Sequence, residues 1–142
     1  MKKFFCWLFV KTIVPELKIQ FVKDGSSFDW TEDKIYFQFN EPDCGFMRHL
    51  KQVHHFKKAN CIHLTIWTLL HEIGHYFTLD DCEEDLETKA ICSIINKDDA
   101  EHMEMLQDMY FNMESEWEAT EWAINYVINH YKKCKIFSKL VK

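Results

Sequence analysis

Glycine and proline are nearly missing from this chain of 142 residues, which holds three of the one and two of the other. Their scarcity excludes a low-complexity linker, a collagen-like repeat and a turn-rich β-sandwich. No apolar run approaches the roughly 20 residues that cross a bilayer as a helix, so no membrane partner is expected. No Cys-x-x-Cys pair occurs among Cys6, Cys44, Cys61, Cys82, Cys92 and Cys134. That removes a zinc knuckle and a thioredoxin-type redox site, and the thiols are expected reduced and mostly buried, packing as small hydrophobes. Positive charge is also short: 17 basic against 23 acidic side chains leave a formal charge of −6. Binding to phosphate backbones calls for a basic footprint, so nucleic acid is not an expected partner.

What the chain does have is apolar area, with 47% hydrophobic and 15% aromatic residues. That suffices for one folded domain spanning residues 1–142. The start, Met1-Lys2-Lys3 followed by Phe4 to Val10, has the basic and apolar regions of a signal peptide. Lys11 ends the run at its shortest workable length, and no small-x-small site follows. Residues 4–10 are therefore read as a buried element, and a cytoplasmic location is expected.

Period-two alternation marks strands at Leu17 to Val22 and Ile35 to Phe39, separated by the turn-rich Lys23 to Ser27. Helical spacing follows at Phe46 to Lys58, at Ile62 to Phe77, at Ala100 to Phe111 and at Met113 to Lys133. Asp80 to Glu87 reads as an exposed acidic loop. The fold class is α+β, a small N-terminal antiparallel sheet followed by a helical core. The methionines Met103, Met105, Met109 and Met113 are core filler. The five lysines from Lys132 to Lys142 are read as a solvated helix end, where positive charge suits the dipole.

Chemistry concentrates in His71-Glu72-Ile73-Gly74-His75. Residues i and i+4 of a helix lie on one face, so both imidazoles can reach one zinc ion at about 2.0–2.1 Å. Glu72 stays beside the metal, where its carboxylate can take a proton from bound water. A buried helix is also a costly place for three polar groups that lack partners. The flanks Thr68, Leu69, Ile73, Gly74, Tyr76 and Phe77 resemble the longer zincin pattern.

A catalytic zinc needs a third protein ligand. Asp81 follows His75 by six residues, as the third ligand does in some metzincins, but Thr78 stands where that class needs a turning glycine. Asp81 is read instead as part of the acidic loop. Glutamates on the last predicted helix, Glu114, Glu118 and Glu121, are the other candidates, in the gluzincin arrangement. The run Glu118-Ala119-Thr120-Glu121-Trp122-Ala123 resembles the Glu-Ala-Asn-x-Phe-Ala segment of the ImmA/IrrE-type metallopeptidases of phages and mobile elements. That resemblance implies Glu118 as the third ligand, with Thr120 replacing Asn and Trp122 replacing Phe. It also implies a protein substrate such as a transcriptional repressor. The oxyanion donor is left open among His102, Tyr110, Tyr126 and His130. His54, His55 and His63 are read as surface or core residues.

The expected function is a zinc-dependent metallopeptidase, with Glu72 as general base and His71, His75 and Glu118 on the metal. The rival is a catalytically silent zinc-binding interaction protein. A third reading, in which Lys132 to Lys142 cover the cleft of a proenzyme, rests on the same lysines.

Overall fold

Cys6, Phe9 and Val10 recur at three- and four-residue spacing and are fully buried on one side of helix α1, Lys2–Ile13, in the computed structural model. The structure describes residues 1–78 and 103–142. Pro15 biases the residue before it away from helix, and α1 ends there, at an extended Val14. The segment 4–10 is thus the buried element expected, although Phe4 and Trp7 face outward.

Three short strands follow: β1 (Lys18–Phe21), β2 (Ser27–Asp29) and β3 (Lys34–Phe37). Their order is β1-β3-β2, with β1 parallel and β2 antiparallel to β3. The sheet is therefore mixed, not antiparallel. β2 forms just past the turn-rich Lys23 to Ser27, sharing only Ser27 with it, and takes the hairpin position beside β3. That leaves β1 the far edge of β3, where it runs in the same direction. Ile35 and Phe37 of β3 point into the core.

Helix α2 (Phe46–Gln52) is shorter than its apolar spacing suggests. Past it the chain bends through His55, at φ 55°, into a 3-10 turn at Ala59–Cys61. Helix α3 (Leu64–Thr78) is central. Its Ile66, Trp67, Leu69, Leu70 and Ile73 are fully buried, each worth about 1.5–3 kcal/mol relative to an exposed position. Trp67 Nε1 donates to the Ala59 carbonyl at 2.8 Å, which satisfies the one polar atom on that side chain.

From residue 103 onward come α4 (Met103–Phe111), α5 (Glu114–Asn129) and α6 (Tyr131–Val141). The single helix expected from Met113 to Lys133 is broken at His130, whose φ of −133° leaves the helical region. The break frees α6 from the line of α5 and lets it pack on both α1 and α3. The acidic loop, Asp81 and His102 lie outside the described residues. Among the described residues four cysteines are free, Cys6 and Cys134 buried but Cys44 and Cys61 exposed, so the expectation of mostly buried thiols holds for half of these four. Cys82 and Cys92 lie outside the described residues.

The tightest helix contact lies between α3 and α5. A Cβ built on Gly74 would stand 2.5 Å from the Ala119 carbonyl oxygen and 3.0 Å from its Cα. Those are backbone atoms, which cannot step aside as a side chain can. Gly74→Ala is expected to destabilise the fold by about 1–3 kcal/mol, more than the roughly 1 kcal/mol that alanine adds to a helix interior. Urea unfolding of the two proteins measures it, and an unchanged or raised midpoint would contradict the close approach.

Candidate metal centre

Gly74 sits three residues after His71 and one before His75, and Ala119 sits three after Glu116 and one before Thr120. Backbone contact between these two small residues therefore brings the polar side chains on either side of each into register. His71 Nε2 and His75 Nε2 both face one oxygen, Glu116 Oε2, at 2.6 and 3.1 Å. The imidazoles stand nearly perpendicular, with ring centroids 4.8 Å apart. All three side chains are buried. Among the described residues they are the one trio whose donor atoms converge, within 4.8 Å of one another.

Hydrogen-bond bookkeeping around His71 says what these atoms ask for. Thr120 has a single hydroxyl proton, and it donates that proton to the Glu116 carbonyl one turn earlier, at 2.9 Å. Toward His71 Nδ1, 3.1 Å away, the Thr120 oxygen must then accept. Nδ1 carries the ring proton in that arrangement, and Nε2 turns its lone pair to Glu116 Oε2. Facing the acceptor Oε2 at 2.6 Å, that lone pair must be taken up either by a proton, giving an imidazolium that donates to Glu116, or by a metal cation. Two imidazole nitrogens and a carboxylate oxygen are a donor set that suits a divalent cation, so the residues fit a metal.

The neighbours hold this geometry. Tyr110 donates its phenol proton to Glu116 Oε1 at 2.7 Å, so both carboxylate oxygens are engaged. α4, which carries Tyr110, is tied to α2 by Arg48, whose guanidinium grips both oxygens of Asp108 at 3.0 and 3.3 Å. Burial pushes the Glu116 carboxyl up, but the facing His75 and His71 and their hydrogen bonds outweigh it and hold the group well below the usual carboxylate range. Glu72 shows the opposite balance: burial raises its carboxyl, and the two imidazoles pull it back only in part. Its Oε2 has no hydrogen-bond partner among the described residues. Glu72 and His71 line a cleft of about 260 Å³, walled by Phe46, Leu64 and Phe111, with Glu41 and Asp43 also at its lining.

Set against the sequence, the two histidines and Glu72 lie together, while the third donor is Glu116 and not Glu118. Two residues along a helix rotate the side chain by about 200°, so a glutamate at 116 that faces α3 leaves Glu118 exposed on the opposite side of α5. Glu114 and Glu121 are exposed too, and Glu121 accepts from Trp117 Nε1. The signal that identifies Glu116 is the spacing Glu116, Ala119, Thr120, Ala123, Val127, which is the buried stripe of α5. Of the oxyanion candidates, Tyr110 is in the cleft wall. Tyr126 and His130 stack on each other at 4.2 Å at the far end of α5.

A histidine that the sequence does not single out, His49, is fully buried between Phe111, Trp117 and His54. Neither ring nitrogen has a hydrogen-bond partner among the described residues. Burial, aided by His54, lowers its pKa to about 4. The unfolded chain therefore binds this proton more readily than the folded one. Through this proton linkage His49 costs nothing well above about pH 6.5, and it destabilises increasingly as the pH falls from there to about 4. The loss approaches about 3 kcal/mol at its limit. His49→Phe should flatten that part of the stability profile, measured by denaturant unfolding between those pH values, and a profile parallel to wild type would refute the assignment. Thr120→Val should weaken metal binding about 10–100-fold in competition with a chromogenic chelator, because it frees His71 to take the wrong tautomer. Unchanged affinity would remove Thr120 from that role.

Compared with protein-family models, curated proteins and solved structures, the chain matches none, and its functional reading rests on this convergence of His71, His75 and Glu116.

Proposed function

We propose that the chain is a zinc-dependent metallopeptidase in which His71, His75 and Glu116 hold the metal and Glu72 carries the proton. The observation behind this reading is the single Glu116 oxygen facing two imidazole nitrogens with a bare Glu72 oxygen beside them. Zinc in such a site supplies Lewis acidity, polarising a carbonyl and acidifying water toward neutral pH. Glu72, raised by burial, is suited to take a proton from water and return it to the leaving amine. Tyr110 holds Glu116 in place and stands at the cleft wall. Its bond to Glu116 uses its one phenol proton, so Tyr110 acts here by positioning the ligand Glu116. Phe46, Leu64 and Phe111 offer a bound peptide apolar walls, and Glu41 and Asp43 favour a cationic side chain next to the scissile bond.

The order of strands, motif helix and glutamate helix supports an ImmA/IrrE-like assignment, and with it a repressor or another regulatory protein as substrate. The register of Glu118 does not support it, since the resemblance places the ligand two residues away from Glu116. The unpartnered Glu72 oxygen and the cleft favour turnover over a silent binding role, because a site kept only for stability has no use for a base beside the metal.

Metal content by mass spectrometry and cleavage of a degenerate peptide library test the assignment together. Wild type should retain one zinc per chain and cleave. Glu72→Gln should retain the zinc and lose about 10²–10⁴-fold in rate, and Glu116→Gln should lose zinc while Glu118→Gln keeps it. Zinc retained by His71→Ala, or equal cleavage by wild type and Glu72→Gln, would sink the proposal.

A further inference from the structure

The outward side of α1 and α6 is used by neither the core nor the candidate metal centre. The two helices pack on each other, with Phe9 5.0 Å from Phe137 and the Lys133 ammonium 5.7 Å from the Phe9 ring. Residues 2–13 and 131–142 carry Lys2, Lys3, Lys11, Lys132, Lys133, Lys135, Lys139 and Lys142. These are eight of the 17 basic side chains, and none of the 23 acidic ones lies in either segment. Among the described residues, no carboxylate pairs with any of the eight. Lys11 does donate to the Pro15 and Leu17 carbonyls and Lys133 to the Tyr126 hydroxyl, so these two are half-buried and the other six carry the exposed charge.

Bare apolar side chains are set among these lysines. Phe4 is 53% and Trp7 40% exposed on the side of α1 away from buried Cys6, Phe9 and Val10. Ile136 and Leu140, one turn apart on α6, are 58% and 37% exposed. The helices themselves gain nothing from this placement. A helix N-terminus favours acidic groups and a side-chain cap, yet α1 and α6 have neither. Their first turns hold Lys2 and Lys3, and Lys132 and Lys133, instead. Because α6 starts at Tyr131, these last two lysines lie at the wrong end of a helix to complement its dipole.

We infer that this face docks on an anionic lipid surface, its lysines meeting the headgroups while Phe4, Trp7, Ile136 and Leu140 enter the boundary with the acyl chains. Lysines bordering exposed aromatic and aliphatic residues are the chemistry of an interfacial helix. A nucleic acid would satisfy the lysines but give Ile136 and Leu140 nothing, since they neither stack nor donate. A second copy would set eight lysines against eight. No helix among the described residues is long and apolar enough to cross a membrane, so the chain would lie on the surface. The sequence excludes a spanning helix, and the expectation of no membrane partner went further than that. This inference is independent of the peptidase assignment.

Flotation of the full chain with phosphatidylcholine vesicles, with and without phosphatidylserine, tests it. The chain should float only with the anionic vesicles, and less so as salt rises. Combined Lys132→Gln, Lys135→Gln and Lys139→Gln should weaken binding on the order of a hundredfold. Phe4→Ser with Ile136→Ser should also weaken it, and circular dichroism should match wild type in both variants. Equal flotation with both vesicle types, none with either, or full binding by the lysine variant overturns the inference. Capture by duplex DNA where vesicles fail would assign the face to phosphate backbones. A dimer in sedimentation that Phe4→Ser dissolves, without vesicle binding, would assign it to a second copy; both outcomes likewise overturn the inference.

Discussion

The missing side chain at Gly74 lets the α5 backbone touch α3, and the chemistry of the molecule depends on that contact. With any Cβ there, the Ala119 carbonyl would have to retreat, and Glu116, one turn away, would retreat with it. His71 and His75 are then two buried imidazoles without their shared carboxylate. The spacing within each helix fixes which side chains meet, and the absence of one methyl group fixes how closely.

Around that contact, each polar group restricts the next. Thr120 bonds its own helix and thereby sets the proton on His71. Tyr110 occupies the carboxylate oxygen that the imidazoles leave over. Buried polar groups are costly unless paired, and this set includes a Glu72 oxygen that has no partner among the described residues. Glu72 itself lines the cleft beside His71.

How much of this was legible in the sequence differs from residue to residue. His71, Glu72 and His75 could be placed because i, i+4 geometry is local and needs no knowledge of the rest of the chain. Glu116 is a long-range outcome: which of four glutamates faces α3 depends on the rotation of α5, and only its stripe of alanine, threonine and valine records that. The resemblance of Glu118-Ala119-Thr120 to a known segment points to Glu118, which is on the other side of the helix. The strand regions were readable from alternation. Their pairing was not, because β2 is three residues long, too short to show an alternation of its own. The break at His130 carries neither glycine nor proline, so periodicity alone joins α5 and α6 into one helix.

The formal charge of −6 describes no part of this molecule. Eight lysines lie on one helix pair, and the remaining residues set nine basic groups against 23 acidic ones. Such a particle is strongly polar, and its colloidal behaviour should be that of a patchy object instead of a uniformly repelling anion. At low ionic strength the cationic end of one molecule attracts the acidic remainder of another, and added salt screens that attraction. Solubility should therefore rise with salt in the dilute range, and the chain should be retained by a cation exchanger at a pH where its isoelectric point of about 5.7 says it should pass through.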